Sequence, residues 1–402
     1  MKTQIIKKNI SKAARLIRSG KIVAVPTETV YGLACDGLNA EAVGRVYDLK
    51  GRPPDKPLSL LVPGKEAMGA FCRDVPAAAY SLADRFWPGP LTIVLKSSQA
   101  VPAIVTAGGG TVGLRCPSHS LTLELLAKTG LPLAAPSANP SGLKPPTDAR
   151  EVSEYFGGKI EAVIDGGRCE TGVESTVIDM SGAPYRILRE GALEADEVFG
   201  AVADALNIIG LTGGSGTGKT TALKVSQDKG ALAVDCDAIY HELLENSPDM
   251  LSEIDSRFAG VVKDGVLQRK ELGQIVFRGN EALNDLNRIT HKYVRAEVDT
   301  RLRAHAVAGG KTAVVDAIAL IESGLAAKCK AVVGITASAE VRLLRITERE
   351  SLLREYARMR IDAQKTDEFF RENCDFIIEN NGGIGEFRDK CGKLFEELMS
   401  NG

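Results

Sequence analysis

Short apolar runs alternate with longer segments that have one polar face along the second half of the chain. Five of these runs predict β-strands, at residues 208–211, 232–234, 313–315, 331–335 and 376–378. Helical segments lie between them, and this order is typical of βαβ crossovers. The pattern predicts an α/β domain built on a doubly wound parallel sheet.

The first half combines strand and helix patterns in a less regular order. Its β-branched runs predict strands at residues 22–25, 91–95, 162–165 and 175–179, and helical periodicity is found at 40–50 and 121–129. The polar, lysine-rich residues 1–19 have the pattern of the start of an amphipathic helix. This half is therefore predicted to be a mixed α/β domain.

The clearest boundary lies near Asn207. The helical segment 194–206 runs directly into an apolar strand that ends in a glycine-rich loop, with no Pro/Gly/Ser linker between them. We predict two domains, residues 1–205 and 207–402. The length of 402 residues agrees with two or three domains at roughly 150 residues each.

Composition narrows the classes of function. With 44% hydrophobic and 25% charged residues the chain has the composition of a globular protein. Residues 1–206 hold 23 basic and 22 acidic side chains, and residues 207–402 hold 27 and 30, so we expect no DNA partner. The eight cysteines include no C-x-x-C pair, and no apolar run reaches the roughly 20 residues of a membrane span. These features predict a cytoplasmic protein with reduced thiols and no membrane partner.

A glycine-rich stretch follows the first strand of the second half. It fits G-x-x-x-x-G-K-[ST] with Gly213, Gly214, Ser215, Gly216, Thr217, Gly218, Lys219 and Thr220. Backbone N–H groups of such a loop bind phosphate oxygens, Lys219 reaches the β- and γ-phosphates, and the Thr220 hydroxyl ligates Mg²⁺. A chance glycine turn is the alternative, but the preceding strand and the helical run from Thr221 argue against it. The stretch predicts an ATP site.

Two further clusters suit phosphoryl transfer. Asp235 and Asp237 are spaced so that both carboxylates point the same way from an extended segment, which suits Mg²⁺ organisation and removal of a proton from an acceptor hydroxyl. A helix-capping Asp is the alternative. Arg345, Arg349 and Arg354 follow a predicted strand and would close over ATP, unless they form only a solvated helix face.

This half resembles the dephospho-coenzyme A kinases. The matching stretches are 210–220, 235–237, 264–272, 289–291, 320–322 and 380–382, together with Arg345, Arg349, Arg360 and Gln364. The resemblance implies a P-loop fold with a helical lid that contains Arg349, ATP bound by the loop and Thr221, and Asp237 as the base for a ribose 3′-hydroxyl. It also implies that Asp235, His291 and Arg295 bind the acceptor. The family usually has a proline where this chain has Ala317 and Ala319.

The first half has no such loop, but it concentrates hydroxyls and cations. Residues 26–33 are predicted to expose the hydroxyls of Thr27, Thr29 and Tyr31 to a small polar ligand. Three cations, Lys50, Arg52 and Lys56, lie within seven residues of a proline-stiffened loop. A solvated basic turn is the alternative for this loop alone.

Other segments extend this pattern. Thr111 and Arg115 are four residues apart on a predicted strand and hence on one face. Residues 136–142 form a turn rich in donors, and 174–176 and 186–189 add hydroxyls and charge. Together these segments predict the walls of one groove for an anionic ligand.

This half resembles the threonylcarbamoyl-adenylate synthase family, whose YrdC-like domain has a twisted mixed sheet. The patterns K-x-R and S-x-N are present as residues 50–52 and 137–139. The resemblance implies that L-threonine, bicarbonate and ATP give threonylcarbamoyl-AMP, which other proteins transfer to tRNA. It implies a threonine site of Thr29, Arg115, Ser137 and Ser175, an ATP site of Arg52, Lys56, Thr111, Asn139, Thr147 and Arg189, and Lys50 with Arg52 as charge-offsetting catalytic residues.

The residues leave alternatives open for each half. The first half could instead be an RNA-binding module, against which its near-neutral charge argues. The second half could be another small-molecule P-loop kinase. A regulatory GTPase is remote because the chain has no N-K-x-D motif.

Overall fold

The computed structural model describes residues 2–276, 279–350 and 353–400. The outer limits of the two predicted domains, residues 1 and 402, lie outside this range. The chain divides into two compact units. One holds the residues up to Ala205 together with Val307–Gly309, and the other holds Leu206–Ala306 and the residues from Gly310 onward.

The first unit has a ten-stranded mixed sheet. Its strands are β1 (Gln4–Ile6), β2 (Val23–Val25), β3 (Gly32–Asp36), β4 (Ser59–Leu61), β5 (Leu91–Lys96), β6 (Thr111–Arg115), β7 (Leu133–Ala134), β8 (Ala162–Ile164), β9 (Thr176–Asp179) and β10 (Arg186–Arg189). They lie in the order β1-β8-β2-β3-β7-β4-β6-β5-β9-β10. The pairs β4/β6 and β5/β9 are parallel, whereas β5/β6 is antiparallel.

Seven helices of the described residues belong to this unit. They are α1 (Ile10–Arg18), α2 (Ala40–Lys50), α3 (Ala67–Phe71), α4 (Ala77–Phe86), α5 (Ser120–Thr129), α6 (Ala149–Phe156) and α7 (Ala195–Asp204). Helix α1 packs with α5 over a core of buried β2 and β8 side chains. The prediction that residues 1–19 begin a helix is wrong in part, because residues 4–6 pair with β8 as an edge strand and the helix begins only after Asn9 caps it.

The second unit has a five-stranded parallel sheet. Its strands are β11 (Asn207–Thr212), β12 (Leu232–Asp235), β15 (Thr312–Asp316), β16 (Ala331–Thr336) and β17 (Phe376–Glu379), in the order β12-β15-β11-β16-β17. A separate hairpin joins β13 (Val262–Lys263) to β14 (Val266–Leu267). The α/β prediction and each predicted strand of this half are confirmed.

The helices of the second unit cover both faces of the sheet. They are α8 (Lys219–Asp228), α9 (Cys236–Asn246), α10 (Pro248–Arg257), α11 (Arg269–Val276), α12 (Asn280–Val307), α13 (Ala339–Glu350), α14 (Arg354–Asp362), α15 (Asp367–Asn373) and α16 (Ile384–Ser400), with a 3₁₀ turn at Leu325–Lys328. Helices α8 and α16 pack on the face that carries Ile209 and Leu211. On the opposite face, Gly210 lies against Leu320 and Cys329.

The topology fixes where a ligand can bind. Strand β11 lies between β15 and β16. The connection after β11 leads to β12 in one direction along the sheet, and the connection after β15 leads to β16 in the other. Crevices form at such switch points, beyond the carboxyl ends of the strands. The glycine-rich loop leaves β11 at this edge. Among the residues that the structure describes, no helix combines the length and apolar character of a membrane span.

Candidate active sites

The glycine-rich loop connects β11 to α8 through backbone conformations that require glycine. Gly213 has φ 142° and Gly218 has φ 108°. A Cβ atom on Gly213 would lie 2.2 Å from the Ile335 carbonyl oxygen, and one on Gly218 would lie 2.4 Å from Asn380 Nδ2. Any larger residue at these two positions would displace the backbone, since both neighbours are held by the sheet and its adjoining loop.

Side chains hold the carbonyl groups of this loop. Thr217 Oγ1 donates to the Gly214 carbonyl at 2.9 Å, Arg342 Nε to that of Ser215 at 2.9 Å, and Asn380 Nδ2 to that of Thr217 at 2.7 Å. With the carbonyls held in this way, the N-terminus of α8 presents its N–H groups, which lack intrahelical acceptors. This arrangement is suited to phosphate oxygens.

A cavity of about 340 Å³, called here the nucleotide cavity, lies over the loop. Its lining comprises Gly214, Ser215, Gly216, Gly218, Lys219, Thr220, Thr221, Asp235, Asp237, Asp316, Ile318, Arg345, Arg349 and Arg360. The lining therefore contains both cations and acids. Of the predicted loop residues, Gly213 and Thr217 lie outside the lining and shape the turn. Arg354, the third arginine of the predicted cluster, is not part of this wall either.

The expectation that Asp235 and Asp237 extend from one strand is wrong. Strand β12 ends at Asp235, and α9 begins at Cys236, so Asp237 is already helical. Asp235 Oδ1 accepts from the backbone N–H groups of Asp237 at 2.9 Å and Ala238 at 3.0 Å, which caps the helix. The capping residue is thus Asp235, and it leaves the Asp237 carboxylate in the cavity.

Asp316 is a buried carboxylate of the nucleotide cavity. It ends β15, and its Oδ1 atom is buried without a hydrogen-bond partner among the described residues. Burial raises the pKa of Asp316 to about 7, and the nearby acids Asp235 and Asp237 act in the same direction against the lowering effect of Lys219. A partnerless acceptor in this position is suited to a cation or a water bound with the nucleotide.

A second cavity of the same unit, about 240 Å³, adjoins the first and is called here the acceptor cavity. Asp237 and Ile318 line both cavities. His291 and Arg295, predicted to bind the acceptor, line this one, whereas Asp235 lies only on the nucleotide side. Burial lowers the pKa of His291, and the Arg295 charge adds to this effect. A hydroxyl group placed beside Asp237 would therefore face both compartments.

The alanines that replace the expected proline also belong to this wall. Ala317 and Ala319 both line the acceptor cavity. Ala317 donates its backbone N–H to the Leu211 carbonyl at 3.1 Å. A proline at 317 would lose this bond because it has no N–H group.

In the first unit, a cavity of about 120 Å³ lies at the ends of several strands and is called here the cation cavity. Its lining comprises Thr27, Val30, Tyr31, Gly32, Arg52, Pro57, Leu58, Ser59, Leu61, Thr92, Arg115, Ala135, Pro136, Ser137, Glu174, Ser175 and Arg189. The structure thus brings together five residues of the predicted synthase site. They are Arg52, Arg115, Ser137, Ser175 and Arg189.

The hydroxyls expected to be exposed are instead buried and bonded. Thr27 Oγ1 donates to the Val30 carbonyl at 2.7 Å, and Tyr31 Oη donates to the Gly167 carbonyl at 2.8 Å. Thr29 has no exposed surface, and its hydroxyl accepts from Arg115 at 2.8 Å. These bonds satisfy the hydrogen-bonding capacity of buried hydroxyls. The three hydroxyls therefore bond to neighbouring protein groups and do not extend into the cavity.

Arg115 is held from several sides. Its Nη2 donates to Glu28 Oε1 at 2.7 Å and to the Thr29 hydroxyl, and its Nε donates to the Gly89 carbonyl at 3.3 Å. The other Glu28 oxygen accepts from the Ser118 backbone N–H at 3.0 Å. The guanidinium is therefore fixed in orientation at the cavity wall.

Lys50 is buried and does not line the cation cavity. Its Nζ donates to the carbonyl oxygens of Ser137 and, at 2.6 Å, of Asn139. Burial lowers the pKa of Lys50 to about 8, and the Arg52 charge adds to this effect. The K-x-R lysine therefore binds the backbone of the S-x-N turn, while Arg52 faces the cavity.

Arg189 lines the same cavity as Arg52. It donates to the Ser175 carbonyl and hydroxyl at 2.9 and 3.1 Å and pairs with Glu174 at 3.1 Å. Lys56, Thr111, Asn139 and Thr147, also predicted for ATP, are not part of the lining. Asn139 Oδ1 is buried without a partner among the described residues.

Comparisons with known proteins match a different family model to each half of the chain. Residues 15–191 match the Sua5/YciO/YrdC family model, described as "Telomere recombination", and residues 207–386 match the model described as "Dephospho-CoA kinase". The threonylcarbamoyl-AMP synthase of Halorhodospira halophila is 38% identical over 157 residues, which are 39% of this chain and 82% of that protein. The chain belongs to the Sua5/YciO/YrdC family in its first half, and its second half matches the dephospho-CoA kinase model.

Other similarities cover parts of the chain. The threonylcarbamoyl-AMP synthase of Pyrococcus abyssi is 49% identical over 186 residues, 46% of this chain, and the chain spans only 55% of that relative's length. The solved dephospho-CoA kinase of Campylobacter jejuni is 29% identical, with a TM-score of 0.38, over 48% of this chain and 98% of that one.

Two site residues were missed by the sequence reasoning. In the YrdC-like domain, Glu28 was overlooked, although an acid inside the wholly buried stretch 22–35 is a signal of a buried ion pair. In the kinase domain, Asp316 was overlooked, although an acid at the end of an apolar strand next to a P-loop strand is a signal of a nucleotide-site carboxylate.

Proposed function

We propose that the chain is a multifunctional enzyme that catalyses two ATP-dependent reactions. The kinase domain phosphorylates the ribose 3′-hydroxyl of dephospho-CoA, and the YrdC-like domain forms threonylcarbamoyl-AMP from L-threonine, bicarbonate and ATP. The observation that carries the proposal is the presence, in separate units, of two cavities whose linings are suited to anions. One lies over main-chain N–H groups at a helix start, and the other is lined by Arg52, Arg115 and Arg189.

In the kinase reaction, ATP binds with its phosphates at the glycine-rich loop, Thr221 and Lys219. Asp237 takes the proton of the ribose 3′-hydroxyl as that oxygen bonds to the γ-phosphorus, and the bond from the γ-phosphorus to the β,γ-bridging oxygen breaks to release ADP. The position of Asp237 on both cavities supports this role. Arg349 stabilises charge on the transferred group, and His291 and Arg295 bind the acceptor.

Mg²⁺ fits the donors of the nucleotide cavity. The Thr220 hydroxyl and the Asp235, Asp237 and Asp316 carboxylates are oxygen ligands of the kind this cation prefers. Among the residues that the structure describes, no three His, Cys, Asp or Glu side chains converge on a metal-sized position, so ATP phosphates would complete the shell. When bound, Mg²⁺ neutralises charge on the β- and γ-phosphates.

In the synthase reaction, the threonine amine and bicarbonate form a carbamate with loss of water. A carbamate oxygen then attacks the α-phosphorus of ATP, and the bond to the pyrophosphate leaving group breaks. Arg115, held by Thr29, with Ser137 and Ser175 binds threonine. Arg52 and Arg189 offset phosphate charge, which their places on the cavity wall support.

The remaining predicted synthase residues act beside the cavity. We propose that Lys56, Thr111, Asn139 and Thr147 contact ATP as it extends beyond the enclosed part of the site. Lys50 contributes charge and holds the S-x-N turn. The product would reach tRNA only through transfer proteins, and both reactions would take place in the cytoplasm.

A substrate-omission assay of the intact chain tests the proposal. With ATP and Mg²⁺, we expect ADP formation only when dephospho-CoA is present, and pyrophosphate release only when threonine and bicarbonate are both present. ADP formation with nucleosides but not with dephospho-CoA would favour another small-molecule kinase. Salt-sensitive RNA retention without pyrophosphate release would favour the RNA-binding alternative.

A further inference from the structure

Two arginines of the described residues are buried, and they differ in what neutralises their charge. Arg115, which is 7% exposed, pairs with Glu28 at 2.7 Å. Arg342, which is 5% exposed, lies near the start of α13 in the second unit, and no acid among the described residues forms an ion pair with it. A buried charge without a counter-charge destabilises a folded protein, so Arg342 is placed where an anion could bind with advantage.

Within the described part of the chain, the Arg342 guanidinium donates to neutral oxygens. Its Nε donates to the Ser215 carbonyl at 2.9 Å, and its Nη2 donates to Gln364 Oε1 at 2.7 Å. Burial lowers the pKa of Arg342, and the charge of Asp367 acts in the opposite direction without forming an ion pair. The guanidinium is therefore held against the glycine-rich loop by the dipoles of a carbonyl and an amide.

Two glycines of the loop allow this close approach. A Cβ atom on Gly214 would lie 2.3 Å from Arg342 Nη2, and one on Gly216 would lie 2.9 Å from the Arg342 carbonyl oxygen. The motif G-x-x-x-x-G-K-[ST] requires glycine at neither of these positions. The contact with Arg342 gives a physical reason for glycine at both.

Arg342 contacts the wall of the nucleotide cavity without being part of it. Residues 214–216 line this cavity, whereas Arg342 does not. Helix α13 also carries Arg345 and Arg349, three and seven residues further along and hence on the same face, and both line the cavity. The helix therefore supplies two arginines to the cavity wall and a third that acts on the wall through the loop.

We propose that Arg342 is a positioning residue of the kinase site, whose unpaired charge acts through Ser215 and Gln364 to strengthen the binding of nucleotide phosphates. The inference rests on the proposed kinase function. Without nucleotide, the buried charge lacks compensation. Phosphates that bind at the glycine-rich loop supply the missing negative charge on the other side of the Ser215 peptide group. Because this attraction grows with the charge of the ligand, ATP gains more from it than ADP does.

Two substitutions separate the charge from the hydrogen bond. Arg342→Gln keeps a donor for the Ser215 carbonyl but removes the charge, whereas Arg342→Lys keeps the charge. The control is Arg388→Gln on α16, which removes an exposed arginine that lies 3.8 Å from Asp228 in the last turn of α8. It changes the net charge of the unit by the same amount. All are made in the intact chain carrying Arg52→Ala, so that the proposed ATP site of the first unit does not contribute.

The measurements are the Kd values of ATP and ADP, by titration calorimetry with Mg²⁺ and without acceptor, and the Tm of the nucleotide-free kinase domain, by scanning calorimetry. We expect Arg342→Gln to weaken ATP binding about tenfold and ADP binding about threefold. Its Tm should be unchanged or higher, because an unpaired buried charge is removed. Arg342→Lys should restore most of the ATP affinity, and Arg388→Gln should match the Arg52→Ala chain in every value.

Equal weakening of ATP and ADP by Arg342→Gln, or a lower Tm of this variant, would overturn the inference, because the arginine would then only support the shape of the loop. An unchanged ATP Kd in Arg342→Gln, or equal weakening by Arg342→Lys, would overturn it as well, since the charge would then make no contribution. Phosphorylation of dephospho-CoA is followed separately. If the Arg52→Ala chain does not phosphorylate it, the proposed function fails, while the Kd values still decide the role of Arg342.

Discussion

Glu28 Oε1 lies 2.7 Å from Arg115 Nη2, and both side chains are almost fully buried. The two residues are 87 positions apart. Glu28 is on the loop after β2, and Arg115 is the last residue of β6. The pair fixes the one guanidinium of the cation cavity that is buried against the sheet.

Replacement of Glu28 by Ala should remove the ion-pair partner of Arg115, so that the guanidinium is no longer held in one orientation. Loss of one partner from a buried ion pair costs about 3–5 kcal/mol, because the other charge stays buried without compensation. We expect the KM for threonine to rise at least tenfold and the YrdC-like domain to unfold at lower temperature. Trp87, the single tryptophan of the chain, lies in this unit and reports its unfolding by fluorescence.

Glu124→Gln is the control for this variant. It breaks an exposed i,i+4 pair with Lys128 in the same unit and should change stability by less than about 0.5 kcal/mol. Equal effects of the two substitutions would contradict the positioning role of Glu28.

A substitution in one of the two proposed active sites should leave the activity of the other site unchanged. Lys219→Ala removes the ammonium proposed to bind phosphate, and Asp237→Asn removes the proposed base, so each should abolish phosphorylation of dephospho-CoA and leave pyrophosphate release unchanged. Arg52→Ala should do the reverse. Radiolabelled ATP allows both products to be followed in one reaction mixture. Loss of both activities in any one variant would show that the sites are coupled and that the division is wrong.

Asp316 links stability to pH. Its folded pKa, about 7, lies above the ordinary value of 3.8, so the folded state binds an extra proton between these values. The stability that this group contributes is fully present below pH 3.8 and is lost as the pH rises through about 7. Asp316→Asn should therefore stabilise the free kinase domain at pH 8 by about 1–3 kcal/mol, while it lowers kinase activity.

Scanning calorimetry at pH 8 and pH 5 tests this expectation. The gain in stability should be large at pH 8 and much smaller at pH 5. It should appear in the unfolding transition of the kinase domain, which Trp87 fluorescence does not report because Trp87 lies in the other unit. Asp389→Asn on the exposed side of α16 is the control and should have no such pH dependence. If the Asp316→Asn variant were destabilised at both pH values, the ionised Asp316 carboxylate would not be what lowers stability at pH 8.

Gln364 connects the glycine-rich loop to the helices that carry the arginines. Its Oε1 accepts from the Ser215 backbone N–H at 2.8 Å and from Arg342 Nη2 at 2.7 Å, and its Nε2 donates to the Ser215 hydroxyl at 2.8 Å. Gln364→Ala removes three hydrogen bonds, each worth about 1 kcal/mol. We expect a five- to tenfold higher KM for ATP, measured by steady-state kinetics. An unchanged KM, as expected for the control Gln227→Ala, would mean that the loop keeps its shape without this contact.

Much of the kinase fold could be predicted because its signals are local. The strands of the parallel sheet are short apolar runs, and the groups of the phosphate loop are contiguous from Gly213 to Thr220. Even so, the helix start at Cys236 was misplaced. The spacing of Asp235 and Asp237 is compatible with a strand or with a cap and the first helical turn, and only the position of β12 in the sheet distinguishes them.

The synthase site was harder to predict because its groups come from distant segments. Arg52 follows α2, Ser137 follows β7, and Arg115 and Arg189 end β6 and β10. The strand order that brings these segments together is not contained in the spacing of the residues. The same limitation hid the role of Lys50, whose ammonium is directed to carbonyl groups some 87 residues away.

By itself the sequence determined the α/β class and the chemical types of side chain available to each half, and it predicted the boundary near Asn207 and the phosphate loop. These follow from periodicity and from groups that are neighbours along the chain. Only the tertiary structure decided which of the hydroxyls and charges face a cavity and which are used up in holding one another. That choice depends on burial, because a polar group removed from water must find a partner wherever the fold has put one.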